Sequence, residues 1–341
     1  MNAGRCAQEL APKLLYLASG VVITLYSQWV AARGAVDART HLLAWTKYAF
    51  VFLSSLLLDA RRGAEAVRLP PRGRLLLALS GILDVSSYAF SCLGFARCGT
   101  LISITVGAAC SQASNAALSV LVMKRQLPPG RKAALAVVAL GTGMRSLDYL
   151  RAEGGAALAG EWTPEVAAGA ACIAASSFGY SVLGVLYEGI LAVSPQLSHF
   201  QYQRSTAYIG LVAATAYQLA YTVPHWETHV AGQLEASGTS GWQLAAMLVC
   251  FGGLFNCNAY FQALLFKQED GALGVSVATA MRGAAVSFLS GLLFCSPAAP
   301  WQCLTFWRGA SALVVSAGGL LWTLHSPALR RPRDAAASKR D

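Results

Sequence analysis

The sequence predicts an all-α integral membrane protein of ten transmembrane helices, arranged as two inverted five-helix repeats. Three observations predict it. Apolar windows recur along the whole chain, Lys and Arg gather on one side of the alternating loops, and the second half echoes the first at a shift of 172 residues. The 341 residues are 55% hydrophobic and 12% charged, against about 25% charged in soluble domains, which argues against a soluble enzyme. A hydrocarbon layer about 30 Å thick takes about 20 apolar residues per helix, so ten spans consume most of the chain. No polar stretch approaches the roughly 50 residues an independent second domain needs.

The windows fall at 12–32, 41–58, 74–96, 100–123, 132–149, 165–186, 202–223, 242–266, 271–294 and 304–324. The first follows a basic flank and so imitates a signal peptide. Its apolar run continues to about Ala32 and nine more follow, which reads as an uncleaved first span. The second is short and the sixth is broken by Ser176, Ser177 and Gly179, so a nine-span scheme stays open. Windows three and four are joined by a very short turn, as are eight and nine. The chain thus divides into a first five-helix repeat (1–150), a second (151–325) and a basic tail (326–341) that reads as disordered.

The net charge of +10 would suggest nucleic acid in a soluble chain. Here 17 of the 26 Lys and Arg residues lie on the side that carries both termini and the 59–74 and 124–132 loops, and 5 on the other. That split places both termini in the cytosol and favours an even number of spans. The nine cysteines sit mostly inside apolar segments with no CxxC pair. They read as small apolar side chains rather than a disulfide framework.

At the shift of 172, Gly81, Tyr88, Gly99, Leu101 and Ala108 fall on Gly253, Tyr260, Gly271, Leu273 and Ala280. A repeat with an odd number of helices must insert upside down relative to its twin. Inverted halves bring a site to the midplane between them, the architecture of secondary transporters.

Two stretches carry a resemblance beyond this pattern. They are LVMKRQLPPGRKAALAVVALGTGM (121–144), where a span ends in basic residues before a short turn, and ATAMRGAAVSFLSGLLF (278–294) with its Met281-Arg282-Gly283 step. Over about 300 residues the chain resembles the drug/metabolite transporter superfamily (EamA-like), in its nucleotide-sugar-transporter-like eukaryotic branch. The resemblance implies ten helices, cytosolic termini, and a Golgi or endoplasmic reticulum membrane. The Gly-Ala-Leu-Asn-Lys signature of GDP-mannose carriers is absent, which argues against that substrate.

Arg282 lies eleven residues into the ninth window, near the bilayer midplane, where an arginine costs about 2.5 to 3.5 kcal/mol unless it meets a wet cavity or a partner. Its rigid fork suits phosphate or carboxylate. It reads as an anchor for an anionic substrate, with a structural ion pair as the alternative. Ser276, Thr279, Val286 and Ser290 recur on the same face. Asp84 is the acidic residue in mid-span; it reads as the partner of Arg282 or Lys47, or as a proton site with its pKa raised by burial. Tyr88 follows it, and the repeat-equivalent positions hold Asn256 and Tyr260. These tyrosines suit a nucleobase or sugar if they face a cavity, and helix packing if they do not. Gln112 and Asn115 share a face of the fourth window with Thr105 and Ser119, a stripe divided between cavity lining and helix glue. Lys47, inside the second window, reaches either the cavity or the interface. Glu188, Arg204, Lys267, Glu269, Asp270 and Arg308 lie near span ends and read as interfacial.

No GxxxxGK[ST] loop, HExxH, GxSxG or Asn-x-Ser/Thr acceptor occurs. No cofactor is called for, and His225 and His229 read as a solvated loop rather than a metal site. The expected function is that of a secondary carrier, not an enzyme. Its expected partners are a small-molecule substrate, polar and anionic with a nucleotide sugar favoured, and the lipid bilayer; nucleic acid is not among them, and a homodimer stays open. The rival expectation is a proton-coupled exporter of amino acids or other small metabolites.

Overall fold

The computed structural model describes residues 3–34, 36–62, 69–124, 127–151, 163–268, 271–295 and 303–325. The tail 326–341 and the pair Glu269 and Asp270 lie outside them. The described residues are mostly helical, with no strand among them. Its long elements are α1 (Ala3–Ala32), α2 (Leu42–Arg62), α3 (Pro71–Leu121), α4 (Pro129–Arg151), α5 (Pro164–Val193), α6 (His199–Tyr217), α7 (Gly241–Phe266), α8 (Gly271–Leu293) and α9 (Phe306–Leu324). Six helices among the described residues are long and apolar enough to cross a membrane, including Leu42–Asp59 and Pro164–Val193, the regions of the two weakest windows. The protein is an all-α, multi-pass membrane protein.

Local chemistry sets the helix starts. Pro71, Pro129 and Pro164 each stand at a first helical position, where the missing N–H costs nothing. Ser198 and Ser240 each close a capping box with the Gln three residues on, satisfying two backbone donors that a helix end otherwise strands.

Windows three and four form one helical element rather than two helices and a turn, because helical hydrogen bonding continues through the junction. The element nonetheless doubles back. Ile173 of α5 lies against both Gly94 and Gly107, positions about 20 Å apart on a straight helix. Gly179 faces Ser87 of the first arm, and Ser181 donates to the Ser111 carbonyl of the second at 3.5 Å. Both arms therefore run along α5. The glycines permit this approach, since a Cβ on Gly94 or Gly169 would collide with the opposing helix.

Half of α8 is buried inside the fold, the largest share of any candidate span. It packs against α1, the second arm of α3, α7 and α9. On the far side α4 and α9 meet through small residues. Gly141 backs onto Val315, Gly318 backs onto Val138, and Ser311 donates to the Gly141 carbonyl at 2.6 Å. Close backbone approach of this kind is how membrane helices associate without a hydrophobic drive between them.

Three expectations are corrected here. Cys295 and Cys303 are joined in a disulfide across the α8–α9 connection, so those two are not merely small apolar side chains; a separation of 8 residues with no CxxC pattern did not distinguish a loop staple from chance. The segment that holds His225 and His229 is not an open loop. It extends α6 through π turns at Gln218–Thr222 and Glu227–Ala231. Gln218 and Thr222 donate to the Thr40 carbonyl at 2.7 and 3.1 Å, and His229 Nδ1 lies 2.9 Å from Asp37 Oδ2. Arg308 is buried rather than interfacial, and its Nη1 donates to the Cys303 carbonyl at 2.8 Å.

Candidate functional site

A cavity of about 550 Å³ opens between α1, α2, both arms of α3, and α5 to α8. It takes residues from both halves of the chain, Lys47 and Asp84 from the first and Asn258 and Arg282 from the second. Its polar lining falls into two clusters with different electrostatics.

The first is built on Lys47 of α2. Its Nζ lies 3.2 and 3.4 Å from the two Asp84 carboxylate oxygens and 3.5 Å from the Tyr48 hydroxyl. Around it stand the rings of Tyr48, Tyr88 and Phe255, with centroids at 4.5, 4.9 and 5.1 Å. An ammonium taken out of water needs both a counter-charge and polarisable neighbours, and here it has one carboxylate and three aromatic faces. Asp84 is thus the partner of Lys47, not of Arg282. Lys47 belongs to the cavity and not to the membrane surface.

The second cluster is built on Arg282 of α8. Its guanidinium carbon stands 5.7 Å from the Tyr16 ring centroid, and its aliphatic stem passes over Gly20, where a Cβ would strike Cδ. Tyr16 is itself held: its hydroxyl is 2.9 Å from that of Thr279, and its carbonyl accepts from Asn258 Nδ2 at 3.1 Å. Asn258 also donates to Ser19 Oγ at 3.0 Å. Among the described residues no carboxylate lies within ion-pair distance of Arg282. The two cations of the cavity lining therefore differ in kind. Lys47 is neutralised in place, whereas Arg282 presents an uncompensated charge and a guanidinium fork to the cavity.

Toward the start of α8, Glu188 accepts from the Ala272 amide at 2.5 Å. A carboxylate there complements the helix dipole and fixes the pitch from which Ser276, Thr279 and Arg282 project into the cavity. Across from them, Asn115 lines the wall while donating to the Ser111 carbonyl at 2.8 Å.

Of the predicted site residues, the structure brings together Lys47, Asp84, Tyr88, Asn115, Thr279 and Arg282 around this cavity. It does not bring Asn256, Tyr260 or Gln112 to it. The face of α7 that lines the cavity carries Phe255, Asn258, Ala259 and Gln262. At about 100° per residue, Asn256 and Tyr260 point well away from that face. Tyr260 instead stacks on Phe200, centroids 5.9 Å apart. Gln112 is buried outside the lining, its Nε2 without a partner among the described residues. Sequence reasoning missed Tyr16, Tyr48 and Asn258. The four-residue step from Asn258 to Gln262, and Gly20 one turn beyond Tyr16, were the available signals.

No family model matches the chain, and no curated protein matches it. Among solved structures the architecture recurs. One crystal structure superposes with a TM-score of 0.62 over 93% of this chain and 99% of the other, at 14% sequence identity. At that identity the likeness is one of fold alone.

Proposed function

We propose that the protein is a secondary transporter working by alternating access, and that its substrate is a polar, anionic organic metabolite, with a nucleotide sugar as the favoured class. One observation carries this reading: an arginine with no carboxylate partner among the described residues faces a cavity of about 550 Å³, within the size range of small-molecule sites. A midplane arginine is costly to place, and an anion supplied by the substrate offsets that cost. Aromatic rings beside it offer flat apolar surface with hydroxyl edges.

The reading includes ten spans in two inverted five-helix halves. The two arms of α3 supply spans three and four. The packing partners support the symmetry, since exchanging the halves maps the contact of α1 with α7 onto that of α5 with the first arm of α3, and leaves the α2–α6 and α4–α9 pairs in place. Cytosolic termini are favoured by two independent features. The basic residues crowd the loops on that side, and the Cys295–Cys303 disulfide then falls on the opposite, oxidising side, where disulfides persist. A Golgi or endoplasmic reticulum membrane follows from the family resemblance and is tested by the organelle marker with which tagged protein co-localises.

Purified protein in proteoliposomes gives the decisive test of function. Trans-stimulated exchange of a nucleotide sugar for a nucleoside monophosphate, indifferent to a proton gradient, is the expected result. Uptake that strictly requires a proton gradient would favour a proton-coupled exporter acting through Asp84. No uptake of any anionic metabolite would remove the transport reading.

A further inference from the structure

A second concavity of about 490 Å³ lies between α2, α3 and α6 and shares no lining residue with the central cavity. Arg74 on the first turn of α3 and Arg204 on the second turn of α6 stand at one end. Below them the walls are apolar, formed by Phe52 and Leu56 of α2, Leu77 of α3 and Tyr208 of α6. Leu56 and Tyr208 are 43% and 56% exposed, so the slot is open to whatever surrounds the protein. In a multi-pass membrane protein that medium is lipid.

The charges decide which lipid. Asp59 Oδ2 lies 3.4 Å from Arg204 Nη1 and offsets one of the two cations. Arg74 has no carboxylate within ion-pair distance among the described residues. The polar end of the slot therefore keeps a net positive charge and free guanidinium donors, while its length is apolar. We propose that this groove binds an anionic phospholipid, the headgroup phosphate held by Arg74 and Arg204 and an acyl chain lying along Phe52, Leu56 and Tyr208. Basic pockets between membrane helices near the surface are suited to such headgroups, and a guanidinium fork matches phosphate geometry. The inference rests on membrane insertion only and stands apart from the transport reading.

Native mass spectrometry of the detergent-purified protein, offered equal phosphatidylinositol and phosphatidylcholine, tests it. The wild type should retain phosphatidylinositol selectively, and an excess of soluble glycerophosphoinositol should not displace it, because the acyl chain contributes to binding. Arg74→Gln, which leaves the Arg204–Asp59 pair intact, should lower the phosphatidylinositol occupancy about ten-fold, as expected for loss of one charge-assisted contact. Arg74→Gln with Arg204→Gln should abolish the selectivity. Unchanged selectivity in Arg74→Gln protein with a wild-type melting temperature would overturn the proposal. So would full displacement by glycerophosphoinositol, which would mark a site for soluble anions.

Discussion

Replacing Arg282 by Ala removes a cavity cation that has no carboxylate partner among the described residues, so none of the described charged groups loses a counter-ion. Its contact with the Tyr16 ring at 5.7 Å is a cation–π interaction worth roughly 0.5 to 2 kcal/mol, so the loss of fold stability should be modest. A charge-assisted contact to substrate is worth about 1.5 to 3 kcal/mol, roughly ten- to a hundred-fold in affinity. The loss should therefore appear in transport before it appears in melting. Arg282→Lys keeps the charge and loses the fork, and should weaken apparent affinity less than Arg282→Ala does. Because Asp84 sits 3.2 Å from Lys47, adding Asp84→Asn to Arg282→Ala should rescue nothing. The assay is concentration-dependent uptake by proteoliposomes reconstituted at matched protein density. An Arg282→Ala protein that is folded and transports with unchanged apparent affinity would refute the assignment, and rescue by Asp84→Asn would show an Arg282–Asp84 coupling that the geometry lacks.

Other outcomes follow from the same geometry. Lys47→Met should lower the melting temperature, since a carboxylate left alone costs about 3 to 5 kcal/mol when fully buried and less for Asp84, which is 16% exposed in the cavity lining; adding Asp84→Asn should recover much of the loss, and a purely additive double variant would contradict the pairing. Gly20→Val should displace the Arg282 stem, whose Cδ would clash with the new Cβ, raising the half-saturating substrate concentration with little change in stability; unchanged kinetics would mean that the stem has room to spare. Cys295 and Cys303 should react with a membrane-impermeant maleimide only after reduction and, in cytosol-side-out vesicles, only after permeabilisation. Labelling of intact vesicles would reverse the proposed orientation.

The helical membrane character was legible from composition and window spacing because both are properties of whole segments. Lys47 and Arg282 stood out for the same reason, since a charge inside an apolar run is conspicuous and needs a partner or a cavity. What the sequence did not reveal is which partner. Lys47 and Asp84 are 37 residues apart, and the pairing depends on α2, which packs against α6 and α7, sending the Lys47 side chain across to the first arm of α3, a tertiary fact with no local signal. The Asn256 and Tyr260 expectations failed differently. They came from identities at a fixed offset, and one residue of register on a helix turns a side chain by about 100°. Asn258, two positions on, faces the cavity instead. Segment-level inference survives such a slip, and residue-level inference does not.

That slip bears on how a repeated fold builds a site. On the proposed inverted repeat, Asp84 and Asn256 occupy equivalent positions, and only Asp84 reaches the cavity. A perfectly symmetric cavity would hold two matching clusters and present the same charge at both. Here one cluster cancels Lys47 against Asp84 under three rings, while the other leaves Arg282 bare over Tyr16. A solute with an anionic end and a neutral polar end can lie in such a cavity in one direction only. Backbone symmetry then serves the exchange between two openings, and side-chain asymmetry fixes the orientation of the cargo. Moving the charge pair tests this: Lys47→Met with Asp84→Asn, which leaves Arg282 untouched, should keep anion uptake while relaxing discrimination among the groups that the anion carries. Loss of all uptake in that folded double variant would mean that Lys47, and not Arg282 alone, holds the anion.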